Sequence, residues 1–169
     1  DALALSYARS FDTPVVVVRP FNTYGPRQSP RAVIPTILSQ LLFAERVKLG
    51  ATAPERDFTY VTDTVAGFLT LALADGVEGQ TFNLGNEQAI SIRELANRCM
   101  EVTGIQKPVI VAKQRLRPES SEVELLLAGT ALMRTRTSWR PVVSLREGLR
   151  RTAAYLAEHR PPRPGQYAV

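Results

Sequence analysis

Val15-Val16-Val17-Val18-Arg19-Pro20-Phe21-Asn22-Thr23-Tyr24-Gly25-Pro26-Arg27-Gln28 is the stretch on which the reading of this chain turns. Four consecutive β-branched residues predict a strand over residues 15–19, buried on both faces as in a parallel sheet. It runs into a loop dense in prolines, aromatics and arginines around one glycine and one asparagine. In open parallel α/β sheets ligands bind outside the carboxyl ends of the strands, which makes this loop the first candidate site. Pro20, Gly25 and Pro26 restrict the backbone around Asn22, whose side-chain amide both donates and accepts. Such a loop suits a polyhydroxylated or phosphorylated ligand. It suits equally a tight turn in which Asn22 bonds to its own backbone.

Outward from the loop, helices alternate with short strands. Residues 2–11 read as the end of a helix, with Leu3, Tyr7 and Phe11 on one stripe. Residues 32–43 read as a helix that tolerates Pro35 in its first turn. Short extended pieces follow at 47–49 and 58–61. Thr62-Asp63-Thr64 offers capping groups to an apolar helix ending near Asp75-Gly76. A strand at 81–84 leads to Ser91-Ile92-Arg93-Glu94, a capping box, and to a helix closed by Gly104. Extended pieces at 108–112 and 123–127, a short helix at 131–135 and a last helix at 145–158 complete the pattern. The alternation argues an α/β fold. The strands are short and widely separated, as in a lobe packed beside a larger sheet.

The chain has 169 residues, 44% hydrophobic and 22% charged, the balance of a soluble globular protein. No apolar run approaches the roughly 20 residues needed to span a bilayer, so no membrane partner is expected. The single cysteine, Cys99, shares a helical face with Ile92, Leu95 and Ala96 and reads as a core thiol in a reducing, cytoplasmic setting. The net charge of +5 comes with eight arginines from Arg134 onward. These read as solvated helix faces rather than a nucleic-acid surface. The lone histidine, His159, closes the last helix, where a cation complements the helix dipole. No metal site is expected.

Residues 19–28 resemble the segment after the sixth strand of the NAD-dependent epimerase/dehydratases, the extended short-chain dehydrogenase/reductases. The likeness continues in order through Ala32-Val33-Ile34-Pro35, Val47-Lys48-Leu49-Gly50, Arg56-Asp57-Phe58-Thr59-Tyr60-Val61, Thr81-Phe82-Asn83-Leu84-Gly85, Arg117-Pro118 and Trp139. The resemblance implies a nucleotide-sugar site. Pro20 and Phe21 would lie beside the nicotinamide of NAD, and Asn22 would contact the sugar diphosphate. Val33 and the Val47, Lys48 and Leu49 backbone would border the base, and Arg56 and Arg117 would hold the pyrophosphate. A guanidinium binds phosphate oxygens through two parallel bonds. The plainer readings are an Arg56 pair with Asp57 or Glu55, and a solvated Lys113, Arg115, Arg117 cluster. Asn83 fits a turn as well as a contact, and Tyr24 and Tyr60 read as loop anchors. Gly129-Thr130 departs from the family, which commonly has an aspartate there.

The family's chemistry needs a Tyr-x-x-x-Lys pair, its tyrosine acting as general base. None occurs in this sequence, and neither does the glycine fingerprint for a dinucleotide. No catalytic residue is therefore named. The expectation is the carboxyl-terminal portion of a Rossmann-type extended enzyme whose dinucleotide-binding half is missing. Residues 1–30 would be a remnant of the Rossmann core, 31–160 the nucleotide-sugar lobe and 161–169 a flexible tail. The implied whole is a homodimeric 4,6-dehydratase acting on a UDP- or dTDP-linked sugar, with a 4-epimerase or an inactive binding fragment as alternatives. A sheet left incomplete also predicts exposed apolar surface around Val15–Val18.

Overall fold

The computed structural model of the chain describes residues 1–116 and 122–161. In chain order these form α1 (Ala2–Phe11), β1 (Val17–Pro20), β2 (Thr23–Tyr24), α2 (Val33–Phe43), β3 (Val47–Leu49), β4 (Glu55–Asp57), β5 (Thr59–Tyr60) and α3 (Val61–Ala72). There follow β6 (Thr81–Leu84), β7 (Ala89–Ser91), α4 (Ile92–Thr103), β8 (Val109–Val111), β9 (Leu125–Leu126), α5 (Ala131–Arg136) and α6 (Leu145–Glu158). β1 pairs with β6, β2 with β5 and β3 with β8, all parallel. β4 lies between an antiparallel β7 and a parallel β9.

Three amphipathic helices make the main core. Ile34, Ile37, Leu38 and Leu41 of α2 meet Leu95, Ala96 and Cys99 of α4 and Leu149, Ala153 and Leu156 of α6. The three- and four-residue spacings put each set on one helical face. Ser91 Oγ accepts from the Glu94 amide at 3.1 Å to start α4, while the Glu94 carboxylate turns to Arg98 at 2.9 Å. Gly104 ends α4 with φ 68°, a conformation that favours glycine. Ser144 caps α6 in the same way through the Glu147 amide, a signal unmarked in the sequence reading. Cys99 is fully buried, which pushes its thiol pKa up. The Lys107 ammonium donates to the Leu41 and Ala44 carbonyls at the end of α2, where a cation offsets the helix dipole.

A second, smaller core gathers Leu71, Val77, Phe82, Leu84, Met133 and Trp139. The indole of Trp139 donates to the Asp63 carbonyl at 2.9 Å. Here three expectations are corrected. The strand starts at Val17 rather than Val15, and it is not buried on both faces. Val17 is buried, Val18 half-buried and Arg19 exposed, and no residue of α1 is fully buried. Leu3 and Phe11 of α1 are 74% and 71% exposed, so the large exposed apolar groups sit on α1 and α3 more than on the valines.

The third correction concerns α3. It begins at Val61 without a side-chain cap, and the buried Asp63 carboxylate accepts instead from the amides of Val142 and Val143 at 3.1 and 2.9 Å. At the departure from the family, Glu87 accepts from the Thr130 amide at 2.8 Å and pairs with Arg134, tying the start of α5 to the loop after β6. Asn83 donates to the Gly129 carbonyl at 3.2 Å, a turn-holding contact.

Candidate functional site

In the loop after β1 the Asn22 amide bonds to a distant strand and not to its own backbone. Asn22 donates its amide to the Asp57 carbonyl at 2.8 Å, bridging 35 residues to the end of β4. Gln28 donates to the Thr23 carbonyl at 2.7 Å and folds the loop's far end back. Gly25 has φ 154°, and a Cβ there would come within 2.6 Å of Val61 Cγ1, so only glycine fits without a shift. Tyr24 anchors the loop in the main core, packed edge-on against Phe58 and Tyr60. Its hydroxyl donates to the Leu145 carbonyl at 3.3 Å, and burial pushes its pKa up.

β4 sets the opposite wall by simple alternation: successive side chains point to opposite faces. The carboxylate of Asp57, fully buried, accepts from the amides of Asn86 and Glu87 at 2.9 Å and of Ala128 at 3.2 Å. Burial pushes its pKa up, against a downward pull from the amides of Asn86 and Ala128. Gly85 permits this close approach, since a Cβ there would lie 2.1 Å from Ala128 Cβ. With Asp57 fixed inward, its neighbour Arg56 faces outward over a cleft.

That open cleft, about 350 Å³, takes in Asn22, Gln28, Val33, Leu49, Arg56 and Phe58, with Arg31, Arg115 and Glu122 at its charged side. Arg56 donates to the Glu55 carbonyl at 2.8 Å and to the Glu122 carboxylate at 2.9 Å. Its ionic partner is thus Glu122, 66 residues away, and neither Asp57 nor the Glu55 side chain. Both charges are largely sheltered, with side chains 14% and 22% exposed. Gly50 lets two segments touch at the cleft's edge: a Cβ there would fall 2.4 Å from the Arg115 carbonyl oxygen.

Of the residues named from sequence, Asn22, Val33, Leu49 and Arg56 line this one cleft. Val47 is fully buried in the main core. The Lys48 side chain is exposed, but its peptide is held: Gln40 accepts from its N–H at 2.9 Å and donates to its carbonyl at 3.2 Å, and Arg115 donates to the same carbonyl. Pro20 is exposed and Phe21 half-buried at the end of β1, outside the cleft lining. Arg117 lies outside the described residues. Gln28, Arg31, Arg115 and Glu122 were not assigned to the site from sequence. Arg115 carried a signal as a member of a cationic cluster; Glu122 carried none.

His159 Nδ1 lies 3.0 Å from the Tyr155 carbonyl, which can only accept, and its ring stacks on that of Tyr155; it is not among the residues lining the cleft. Among the described residues no group of three or more His, Cys, Asp or Glu is placed to hold a metal ion, and no helix is long and apolar enough to cross a membrane.

Residues 1–152 match the family model described as GDP-mannose 4,6 dehydratase. The chain is 28% identical over 158 residues to an uncharacterized UDP-glucose epimerase, YtcB, of Bacillus subtilis (strain 168), covering 93% of this chain and 49% of that protein. It is 28% identical over 161 residues to dTDP-glucose 4,6-dehydratase of Streptomyces griseus, covering 95% and 48%. The crystal structure of UDP-glucuronic acid 4-epimerase from Bacillus cereus, in complex with UDP-glucuronic acid and NAD, superposes with a TM-score of 0.85 at 26% identity, covering 94% of this chain and 50% of that one. The chain thus spans about half the length of the relatives it matches, and it carries the α/β fold of extended short-chain dehydrogenase/reductases over that half. With its family model matched along nine-tenths of its residues, the chain belongs to the NAD-dependent epimerase/dehydratase family.

Proposed function

We propose that the cleft between the loop after β1 and the outward face of β4 binds a nucleoside diphosphate sugar. The observation that carries this reading is the convergence of Asn22, Val33, Leu49 and Arg56, drawn from four separate parts of the sequence, on one cleft. Its lining offers each chemistry such a ligand needs. Arg31, Arg56 and Arg115 offer charge to a diphosphate, for which a guanidinium is suited by its planar fork of donors. Asn22 and Gln28 offer amides to hydroxyls. Val33, Leu49 and Phe58 offer apolar area to a flat base.

The whole protein would be a nucleotide-sugar 4,6-dehydratase, with a 4-epimerase as the alternative and UDP or dTDP as the carrier; relatives of both activities match the chain. NAD, when bound, would accept a hydride from the sugar and later return it. The described residues do not fit a dinucleotide cradle by themselves: the positive-φ glycines Gly25, Gly76, Gly79 and Gly104 stand in turns and at a helix end, not in a strand-to-helix fingerprint. No hydride step is therefore assigned to this chain. Its part is binding and orientation, and Pro20 and Phe21 would meet a nicotinamide held elsewhere in the whole protein.

Titration calorimetry with UDP-, dTDP- and GDP-linked sugars tests the reading. Saturable binding of one carrier class, weakened at least tenfold by Arg56→Gln (one charge-assisted hydrogen bond), is the expected result. Absence of binding to every carrier would remove it.

A further inference from the structure

The Arg56 guanidinium is already held. One nitrogen bonds the Glu55 carbonyl and another the Glu122 carboxylate at 2.9 Å, inside the cleft and largely out of solvent. Glu122 itself lies in irregular backbone three residues before β9, with no strand ladder fixing it. It is also a lining residue of the cleft. A diphosphate approaching Arg56 therefore meets a carboxylate on the same guanidinium. Two anions crowded onto one partly desolvated cation repel each other, and the pair gives up its bond only for one of comparable strength.

We propose that Glu122 is an internal stand-in for phosphate: it occupies Arg56 in the ligand-free chain, and a diphosphate binds by exchange, taking the guanidinium as the carboxylate leaves. The proposal rests on the reading of the cleft as a diphosphate site. It makes Glu122 a residue that keeps a largely sheltered arginine satisfied without ligand and sets the affinity threshold for anions. Uridine, which carries no phosphate, would pass without displacing it. The exchange breaks and forms only hydrogen bonds.

The test is calorimetric titration of the chain with UDP and with uridine, for wild type, Glu122→Gln, Arg56→Gln and the double variant. The amide of Glu122→Gln keeps an acceptor for Arg56 while removing the charge, and far-UV circular dichroism checks that each variant is folded. UDP affinity is expected to rise about tenfold in Glu122→Gln, the scale of one charge-assisted bond, with uridine affinity unchanged. The gain should vanish in the double variant, because it acts through Arg56. Unchanged or weaker UDP binding by Glu122→Gln would overturn the stand-in role and leave the diphosphate site intact. UDP binding by none of the four proteins would overturn the site and the stand-in together. Should Glu122→Gln fail to fold, Glu122→Ala serves in its place, and unfolding of both would make the pair structural and overturn the proposal.

Discussion

The side of the molecule built from α2, α4 and α6 is closed, whereas the side built from β1, β6, α3 and α1 is open. On the closed side Ile37, Leu38, Leu95 and Leu149 have no exposed surface. On the open side Val65 and Leu69 of α3 and Leu73 just past its end are 51%, 58% and 84% exposed, and α1 presents Leu3, Tyr7 and Phe11 to solvent. β1 and β6 form a two-stranded parallel pair, although parallel sheets are ordinarily covered on both faces. The contrast teaches where this sequence is self-sufficient. The closed side is a complete core that supports the cleft, whereas the open side buries Leu71, Phe82 and Leu84 in the smaller core and leaves apolar groups of α1 and α3 uncovered.

Paired truncations should expose this contrast most strongly. Leu38→Ala is expected to destabilise the chain by about 2–5 kcal/mol, the cost of a cavity in a packed core. Leu69→Ala should stay within about 0.5 kcal/mol, as for an exposed site. Urea melts of both would break the comparison if the two costs were alike. Gly148→Ala comes next. Its Cβ would lie 2.1 Å from the Tyr24 hydroxyl and 2.8 Å from the Tyr60 ring, so about 1–3 kcal/mol of overpacking is expected in the same melts.

Trp139→Phe probes the smaller core by removing the bond to the Asp63 carbonyl. A loss of about 1–2 kcal/mol is expected for the buried acceptor left behind, alongside the reduced ring packing. The smallest effect belongs to the surface of α6. There Arg150 and Arg151 each donate to Glu147 and hold its pKa down at about 2. A carboxylate depressed on folding adds stability above its ordinary range, near 4.5, and that contribution is lost as pH falls through about 2. The melting-temperature gap between wild type and Glu147→Gln should therefore hold from pH 6 to about pH 5 and then shrink toward pH 2.5.

Local signals in the sequence carried most of the fold. The Ser91 cap, the Gly104 stop and the apolar spacing of α2, α4 and α6 act within a few residues, so periodicity and capping chemistry locate them. What sequence reasoning missed is long-range. Val15 and Val16 carry the same β-branched signal as Val17, but the ladder to β6 begins only at Val17. Thr62-Asp63-Thr64 has the composition of a cap, yet Asp63 serves two amides 79 and 80 residues away. In the cleft, Asn22, Val33, Leu49 and Arg56 were legible because they stand in ordered family-like motifs. Glu122 was not, because its partnership with Arg56 exists only once β9 is laid beside β4.

The central claim, that the cleft takes a nucleoside diphosphate sugar, is tested most directly by mapping amide chemical-shift changes on titration with UDP-glucose. The account predicts saturable changes clustered at Asn22, Val33, Leu49, Arg56 and Glu122, with Leu95 and Cys99 in the closed core unmoved. Changes centred on the arginines of α6, or no saturable change anywhere, would contradict it.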